Sequence, residues 1–281
     1  MVASTESHPQ NALAELRRWQ LERDDTSDPG GRIYRDNRGN VFHSVTRILG
    51  KTAPEEQQKT LERWLARPGS EDDRALAAER GTLAHNATEL LLKTAAKMVR
   101  HTANRRGLWR TGSDGLERAP RAITTWALEK AIQGAPSVNW SASGYARGLR
   151  HWILQNCVGI HSIEFSVQSE KGFAGSADAL LDLKIDSTGT SALAICDWKT
   201  SRRSAFADMS SIKMQYSDQL GAYSYGLREM TGIDVPAGAI VLARRTGAPD
   251  VTLLTADQLK EAEQRFLERC ERYFSEICER S

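Results

Sequence analysis

Apolar and polar positions along this chain follow two periods, and the change from one to the other falls just before residue 160. Upstream the spacing is mostly helical. Residues 10–22 place Leu13, Leu16 and Leu21 near one face. DDTSDPGG interrupts that pattern, and IYRDNRGNVFHSV reads as two short strands around Asn37-Arg38-Gly39-Asn40. Residues 44–66 read as helical, with Ser44 or Thr46 as cap and Pro54 opening a second helix. The longest periodic stretch is 72–99, where Leu76, Leu83, Ala87, Leu90 and Leu91 make an apolar stripe with His85 beside it. Over 100–121 the period is lost, Gly and Ser intervene, and the stretch reads as a mobile loop between helices. Helices follow at 120–133 and 143–156.

Strand-like runs then take over. HSIEFSVQS, GFAGSADALLDL and SALAICDWKTS succeed one another, with a turn at Asp186–Thr190 between the last two. A loop, TSRRSAFADMSS, leads into a helix over 211–230 that stops at Gly232. AGAIVLARR reads as a buried strand, TGAPD as a turn and VTLLT as its antiparallel partner. Thr255 and Gln258 form a capping-box pattern opening a last helix, to about Cys278. Helices, a strand meander, a helix, two strands and a helix amount to an α/β fold with a helical N-terminal part.

Composition narrows the function classes. The 281 residues suffice for one large domain or two small ones. No apolar run reaches the ~18 residues a membrane span needs, so no membrane partner is expected. The first 25 residues carry acids and no apolar core, unlike a secretory or mitochondrial targeting segment. The reading is a cytoplasmic protein, bacterial or from a phage-infected cell. Four cysteines do not make a disulfide framework in a chain of this length. With 38 basic and 36 acidic residues the net charge is only +2. Any nucleic-acid contact must therefore use local clusters.

The chemistry concentrates in the strand meander. Asp197 and Lys199 are two apart on a strand and point the same way. They end an apolar run (Ala192, Leu193, Ala194, Ile195), where buried charges need charged partners. A divalent metal with Asp178 as second ligand is the economical partner, and carboxylate-held metal beside a lysine suits phosphodiester hydrolysis. The bland alternative leaves Asp197 capping a turn or pairing with Arg202. Gln219 and Tyr223, four apart, share a helix face.

Glu164, GSAD at 175–178, DWK at 197–199 and QLGAY at 219–223 together resemble the PD-(D/E)XK nucleases of the RecB-like branch. RGTLAH at 80–85 is similar to that branch's helix motif, and FHSVTRIL (42–49), LERW (61–64) and ICDWKTS are similar to the mitochondrial genome maintenance exonucleases and their phage relatives. His43 departs from the pattern, standing where that group has a proline. The resemblance implies a mixed central sheet flanked by helices, with 1–31 as an N-terminal helical extension and 32–281 as the nuclease domain, divided into a helical part (44–156) and the catalytic sheet with its helices (160–278).

It further implies His85, Asp178 and Asp197 as ligands of Mg²⁺ or Mn²⁺, joined by the backbone carbonyl of Trp198. Lys199 would sit by the attacking water and the scissile phosphate. Glu164 would bind a second metal, orient water or hold Lys199. Gln219 would orient the site, and Tyr223 would contact the DNA backbone. Gly81 would let the helix start approach the sheet, while Glu89 would either orient His85 or be solvated. An iron–sulfur cluster is not expected, because Cys157, Cys196, Cys270 and Cys278 lack the closely spaced trio that some clan members carry. Arg105, Arg106, Trp109 and Arg110 are candidate DNA guides, as are Arg202 and Arg203 just after DWKTS. The activity implied is metal-dependent hydrolysis of single-stranded DNA from free ends, in replication, recombination or repair, with proteins of those processes as partners. A sequence- or structure-specific endonuclease and a DNA-binding module without cleavage are the alternatives.

Overall fold

The computed structural model describes residues 21–28, 31–201 and 210–277, together with Leu13. Arg202, Arg203 and most of the 10–22 helix lie outside these described residues. Three strands come first, β1 (Glu22–Asp24), β2 (Ile33–Arg35) and β3 (Val41–Ser44). Helices α1 (Val45–Lys51), α2 (Glu55–Leu65) and α3 (Ser70–Arg106) follow. A small hairpin, β4 (Arg110–Thr111) and β5 (Glu117–Arg118), precedes α4 (Arg121–Gln133) and α5 (Trp140–Asn156). The meander is β6 (Cys157–Gln168), β7 (Phe173–Lys184) and β8 (Ser191–Thr200). Then come α6 (Ser210–Thr231), β9 (Ala237–Ala243), β10 (Asp250–Leu254) and α7 (Ala256–Arg272), which ends in a π-turn over Tyr273–Ile277.

All strands but β4 and β5 form one mixed sheet, β1-β2-β3-β7-β8-β9-β10, with β6 also paired to β7. Because β1 pairs antiparallel with β2, residues 22–24 of the stretch assigned to the N-terminal extension are part of this sheet. Helices α3, α4 and α5 cover one face, burying Leu91, Leu92, Leu128, Leu149 and Trp198. Helices α1, α6 and α7 cover the other, around Ile48, Phe173, Leu220 and Phe266. Local signals set the helix limits as expected. Ser44 accepts from Arg47 N–H at the start of α1, and Thr255 and Gln258 form the capping box of α7.

Register creates the feature that matters for function. Along most of its length β7 pairs with β6 on one edge. On the other edge β8 pairs with it only from Lys184 back to Ala179, and β3 pairs with it at Phe173 and Ala174. Between these partners, residues 175–178 have no strand on that edge. There β8 leaves β7 and continues beside β9, with Asp197 opposite Ile240 and Lys199 opposite Leu242. The sheet therefore forks beside Asp178.

Two expectations are corrected. The stretch 100–121 is not a loop. Helix α3 runs on to Arg106 because Val99 and Ala103 continue its buried stripe, and Gly107, at φ 59°, ends it by letting Leu108 N–H reach the Ala103 carbonyl. The remainder of that stretch holds the hairpin, pinned by Arg118 bonding both Asp114 and Asp182. The stripe itself is Arg80, Ala84, Thr88, Leu91, Leu92, Ala95, Val99 and Ala103, whereas Leu76 and Leu90 are exposed. Packing against α4 and α5 selects that face.

Candidate active site

At the fork the inside-outside alternation of both neighbouring strands switches. Side chains two apart on a strand ordinarily share a face. Yet Ile163 packs with the α3–α5 face and Phe165 with the α1–α6–α7 face, and Ala179 and Ala177 divide the same way. The residues at the switch are Glu164 and Asp178, which fall between the paired Ile163–Ala179 and Phe165–Ala177. Glu164 adopts φ 46°, the one positive φ outside glycine among the described residues. A side chain there costs about 1–2 kcal/mol of local strain, a cost that concentrates at functional positions.

Helix α3 approaches from one face and places His85 Nδ1 3.2 Å from Asp178 Oδ1. The other Asp178 oxygen accepts from Trp198 N–H across the fork. On an extended strand one residue's N–H and C=O leave from the same edge, so the Trp198 carbonyl faces the fork as well. His85 Nδ1 or Nε2 and an oxygen each of Glu164 and Asp178 lie within 4.8 Å of one another. From the other face, Asp197 Oδ2 meets Lys199 Nζ at 2.6 Å. Gln219, on α6, donates to Asp197 Oδ1 (3.3 Å) and to the Tyr223 hydroxyl (2.7 Å), and accepts from Lys199 Nζ (3.2 Å). Lys199 Nζ also lies 5.0 Å over the Tyr216 ring. The cleft between these groups has a volume of about 330 Å³.

Glycines make the close approaches. A Cβ on Gly175 would stand 2.5 Å from Tyr223 Cε1, so the GSAD glycine gives Tyr223 its seat. A Cβ on Gly221 would meet the Ala262–Glu263 backbone at 2.5 Å, so QLGAY needs its glycine where α6 crosses α7. Gly81 differs from expectation. It lies well inside α3, and a Cβ there would meet Thr200 Oγ1 at an ordinary 3.5 Å.

The charges are unbalanced. Burial pushes the Asp197 carboxyl up to about 6, with Asp178 adding to the rise and Lys199 opposing it. Glu164 is exposed as a residue, but its carboxyl lies in the cleft and is pushed up to about 8, first by desolvation there and then by Asp178 and Glu89. For Asp178, burial is overcome by His85 and Lys199, which hold it below the usual carboxylate range. His85 is raised: Asp178 outweighs the burial that would lower it. Lys199 is raised in the same way by Asp197 and Asp178. Asp197 Oδ2 is buried and, despite its contact with Lys199, receives no well-directed hydrogen bond. Clustered carboxylates beside a histidine, with an orphaned buried oxygen, are a donor set that fits a hard divalent cation.

The motif residues Glu164, Asp178, Asp197, Lys199, Gln219, Tyr223 and His85 thus converge on one cleft. Glu89 lines it too, but pairs with Lys93 and not with His85. Tyr223 is buried, its ring against Gly175 and its hydroxyl on Gln219. His43 fills the place of the missing proline by sharing a 2.8 Å hydrogen bond with the Tyr273 hydroxyl. The arginine-rich stretch is not brought to the cleft. Arg105 is 20 residues beyond His85 on one helix, about 30 Å along its axis. Trp109 packs on the helical core with its Nε1–H on Asn104. Sequence reading missed Arg23, Arg32, Thr46, Thr82 and Asn86, which line the cleft but belong to no spacing pattern that marks them.

A sheet forked at a carboxylate, with an Asp-x-Lys strand on one prong, defines a nuclease of the PD-(D/E)XK type. A model of the PD-(D/E)XK nuclease superfamily matches residues 16–280, and the chain belongs to that superfamily. No curated protein matches it. Members hydrolyse nucleic acid with divalent metals, and among the described residues no helix is long and apolar enough to cross a membrane.

Proposed function

We propose that the protein is a metal-dependent exodeoxyribonuclease that degrades single-stranded DNA from free ends in replication, recombination or repair. The observation that carries the nuclease reading is the convergence at the fork of His85, Glu164 and Asp178 from one side with Asp197, Lys199 and Gln219 from the other. Mg²⁺ or Mn²⁺ would be held by His85, Asp178, Asp197 and the Trp198 carbonyl, with Glu164 close enough to join them. When bound, such an ion polarises the phosphate and acidifies a coordinated water.

The chain's own groups do the rest. Lys199, held by Asp197 and Gln219, keeps a positive charge where charge builds on the phosphate oxygens. Gln219 fixes that lysine, and Tyr223, wedged on Gly175, fixes Gln219. Preference for an unpaired strand rests on the resemblance to the genome maintenance exonucleases and their phage relatives. Preference for ends rests on the motifs shared with the genome maintenance exonucleases. The same core also supports a structure- or sequence-specific endonuclease.

Incubation with Mg²⁺ or Mn²⁺ on linear and circular single-stranded DNA, with linear duplex alongside, separates these readings. Digestion of the linear strand with the circle spared is expected. Cleavage of the circle makes the protein an endonuclease, and no cleavage with either metal removes the catalytic reading. Asp197→Ala and Lys199→Ala are expected to abolish cleavage while DNA binding by gel shift persists, and full activity in either would falsify the site assignment.

A further inference from the structure

A strand entering this cleft meets a wall of acids. Glu89, Glu164, Asp178 and Asp197 line it around the fork, and such a wall repels a polymer of phosphates unless cations offset it. Among the described residues, the arginines and lysines that line the cleft are Arg23, Arg32 and Lys199. Lys199 is taken up by Asp197 and Gln219. The strand is left with the two arginines.

Their place follows from the sheet. One prong of the fork is β8 with its Asp-x-Lys, and the other is β3. Ser44, which ends β3, stands opposite Ala174 of β7 and donates its N–H to the Arg32 carbonyl. Arg23 lies on β1 opposite Tyr34 of β2, and Tyr34 lines the cleft too. From Ala174 to Asp178 the strand runs about 13 Å. The arginines therefore stand at the β3 end of the cleft, away from the proposed metal ligands. Asp25 fixes the pair. Its two oxygens accept from Arg32 Nε at 2.5 Å and from Arg23 Nε at 2.8 Å. Of the other aspartates in this stretch, Asp24 accepts from Thr26 and Ser27 within its own turn, and Asp28 pairs with Arg47. One carboxylate thus serves two cations, whose side chains remain 49% and 32% exposed. The pair keeps a net positive charge, and a guanidinium fork matches phosphate oxygens two at a time.

We infer that Arg23 and Arg32, held side by side by Asp25, bind one backbone phosphate of the strand a few nucleotides from the scissile bond. They thereby fix which stretch of strand lies over the metal ligands. This deepens the nuclease reading above and rests on it. The two arginines act on where and how tightly the strand lies, not on the bond being broken.

The test is single-turnover cleavage of a short single-stranded oligonucleotide in Mn²⁺, with enzyme in excess. In Arg23→Gln/Arg32→Gln the enzyme concentration giving half the maximal rate is expected to rise on the order of tenfold or more. The rate at saturation should stay within about twofold, because the lost contact holds the strand and not the reacting bond. Arg23→Lys/Arg32→Lys keeps the charge without the fork and should recover part of the loss. In the glutamine variant the slope of log affinity against log salt should shrink by about 0.7, one phosphate of a single strand.

A second arm begins with the wild-type protein. Methylphosphonates placed singly along the oligonucleotide remove one phosphate charge at a time. They should weaken half-saturation sharply at one position away from the cleavage site, and the glutamine variant should be indifferent there. A wild-type profile with no such position would overturn the inference and leave the nuclease intact. So would a variant that keeps the wild-type profile, or one whose saturated rate falls while half-saturation holds. A wild-type protein that cuts no strand would overturn the nuclease reading and the inference with it.

Discussion

Glu164 carries two local costs at once, a left-handed backbone and a carboxyl crowded by Asp178 and Glu89. Glycine removes both. Glu164→Gly is expected to raise the urea midpoint of the metal-free protein by the equivalent of about 1 kcal/mol and to lower the cleavage rate. A lower midpoint would show that the residue is not strained. Gly175 has the opposite character. In Gly175→Ala the new methyl meets Tyr223, and the cost is expected at about 1–3 kcal/mol, the usual range for overpacking. The displaced tyrosine should release Gln219 and reduce kcat, which paired denaturation and rate measurements would register. At this scale the sequence showed which residues mattered better than why. Gly175 and Tyr223 were each legible as motif letters, but their contact spans 48 positions and has no sequence signature. Arg80 reads as an ordinary helix-surface charge until α5 is seen to cover it.

Among the elements, the β4–β5 hairpin depends on a single buried carboxylate. Asp182 takes Arg118 in two bonds and His161 in a third. Burial raises its carboxyl, but His161 and Arg118 win and hold it below the ordinary value. A depressed carboxylate stabilises the fold above the unfolded-state pKa of ~3.9, and the contribution is lost as pH falls through the folded-state value. Arg118→Ala is therefore expected to cost about 2 kcal/mol near pH 7, where it leaves the buried Asp182 carboxylate with His161 as its remaining partner. The gap between variant and wild type should narrow in urea titrations at progressively lower pH below 4. A gap independent of pH would assign the loss to packing instead. The hairpin itself was hidden in the sequence. Glycines and arginines between 107 and 118 look like solvated loop, and the contact that ties them to the sheet, Arg118 with Asp182, spans 64 positions. The α/β order, the meander and the cap of α7 were readable because each is written in local periodicity.

Over the whole molecule, the length of α3 separates the catalytic cleft from that helix's distant end. Double substitution Arg105→Ala/Arg106→Ala is expected to leave kcat/KM on a strand of a few nucleotides within about twofold, since about 30 Å of helix lies between those side chains and His85. A large loss on such a short substrate would mean that the far end of α3 reaches the cleft after all. The sequence places these arginines near the site only when their stretch is read as a free loop. A rigid helix, continued by Val99 and Ala103 against α4 and α5, carries them away from it.

The fork also orders events in time. The segment bearing Asp197 and Lys199 has left β7, so its ladder is made with β9 alone, a strand that begins about forty residues later at Ala237. While the chain is being synthesised, every motif through Tyr223 can have emerged and the Asp-x-Lys segment will still lack the neighbour that holds it straight. A chain that ends at Val235 is therefore expected not to cleave where the full chain does, and full activity in that truncation would show that the Asp-x-Lys segment needs no β9.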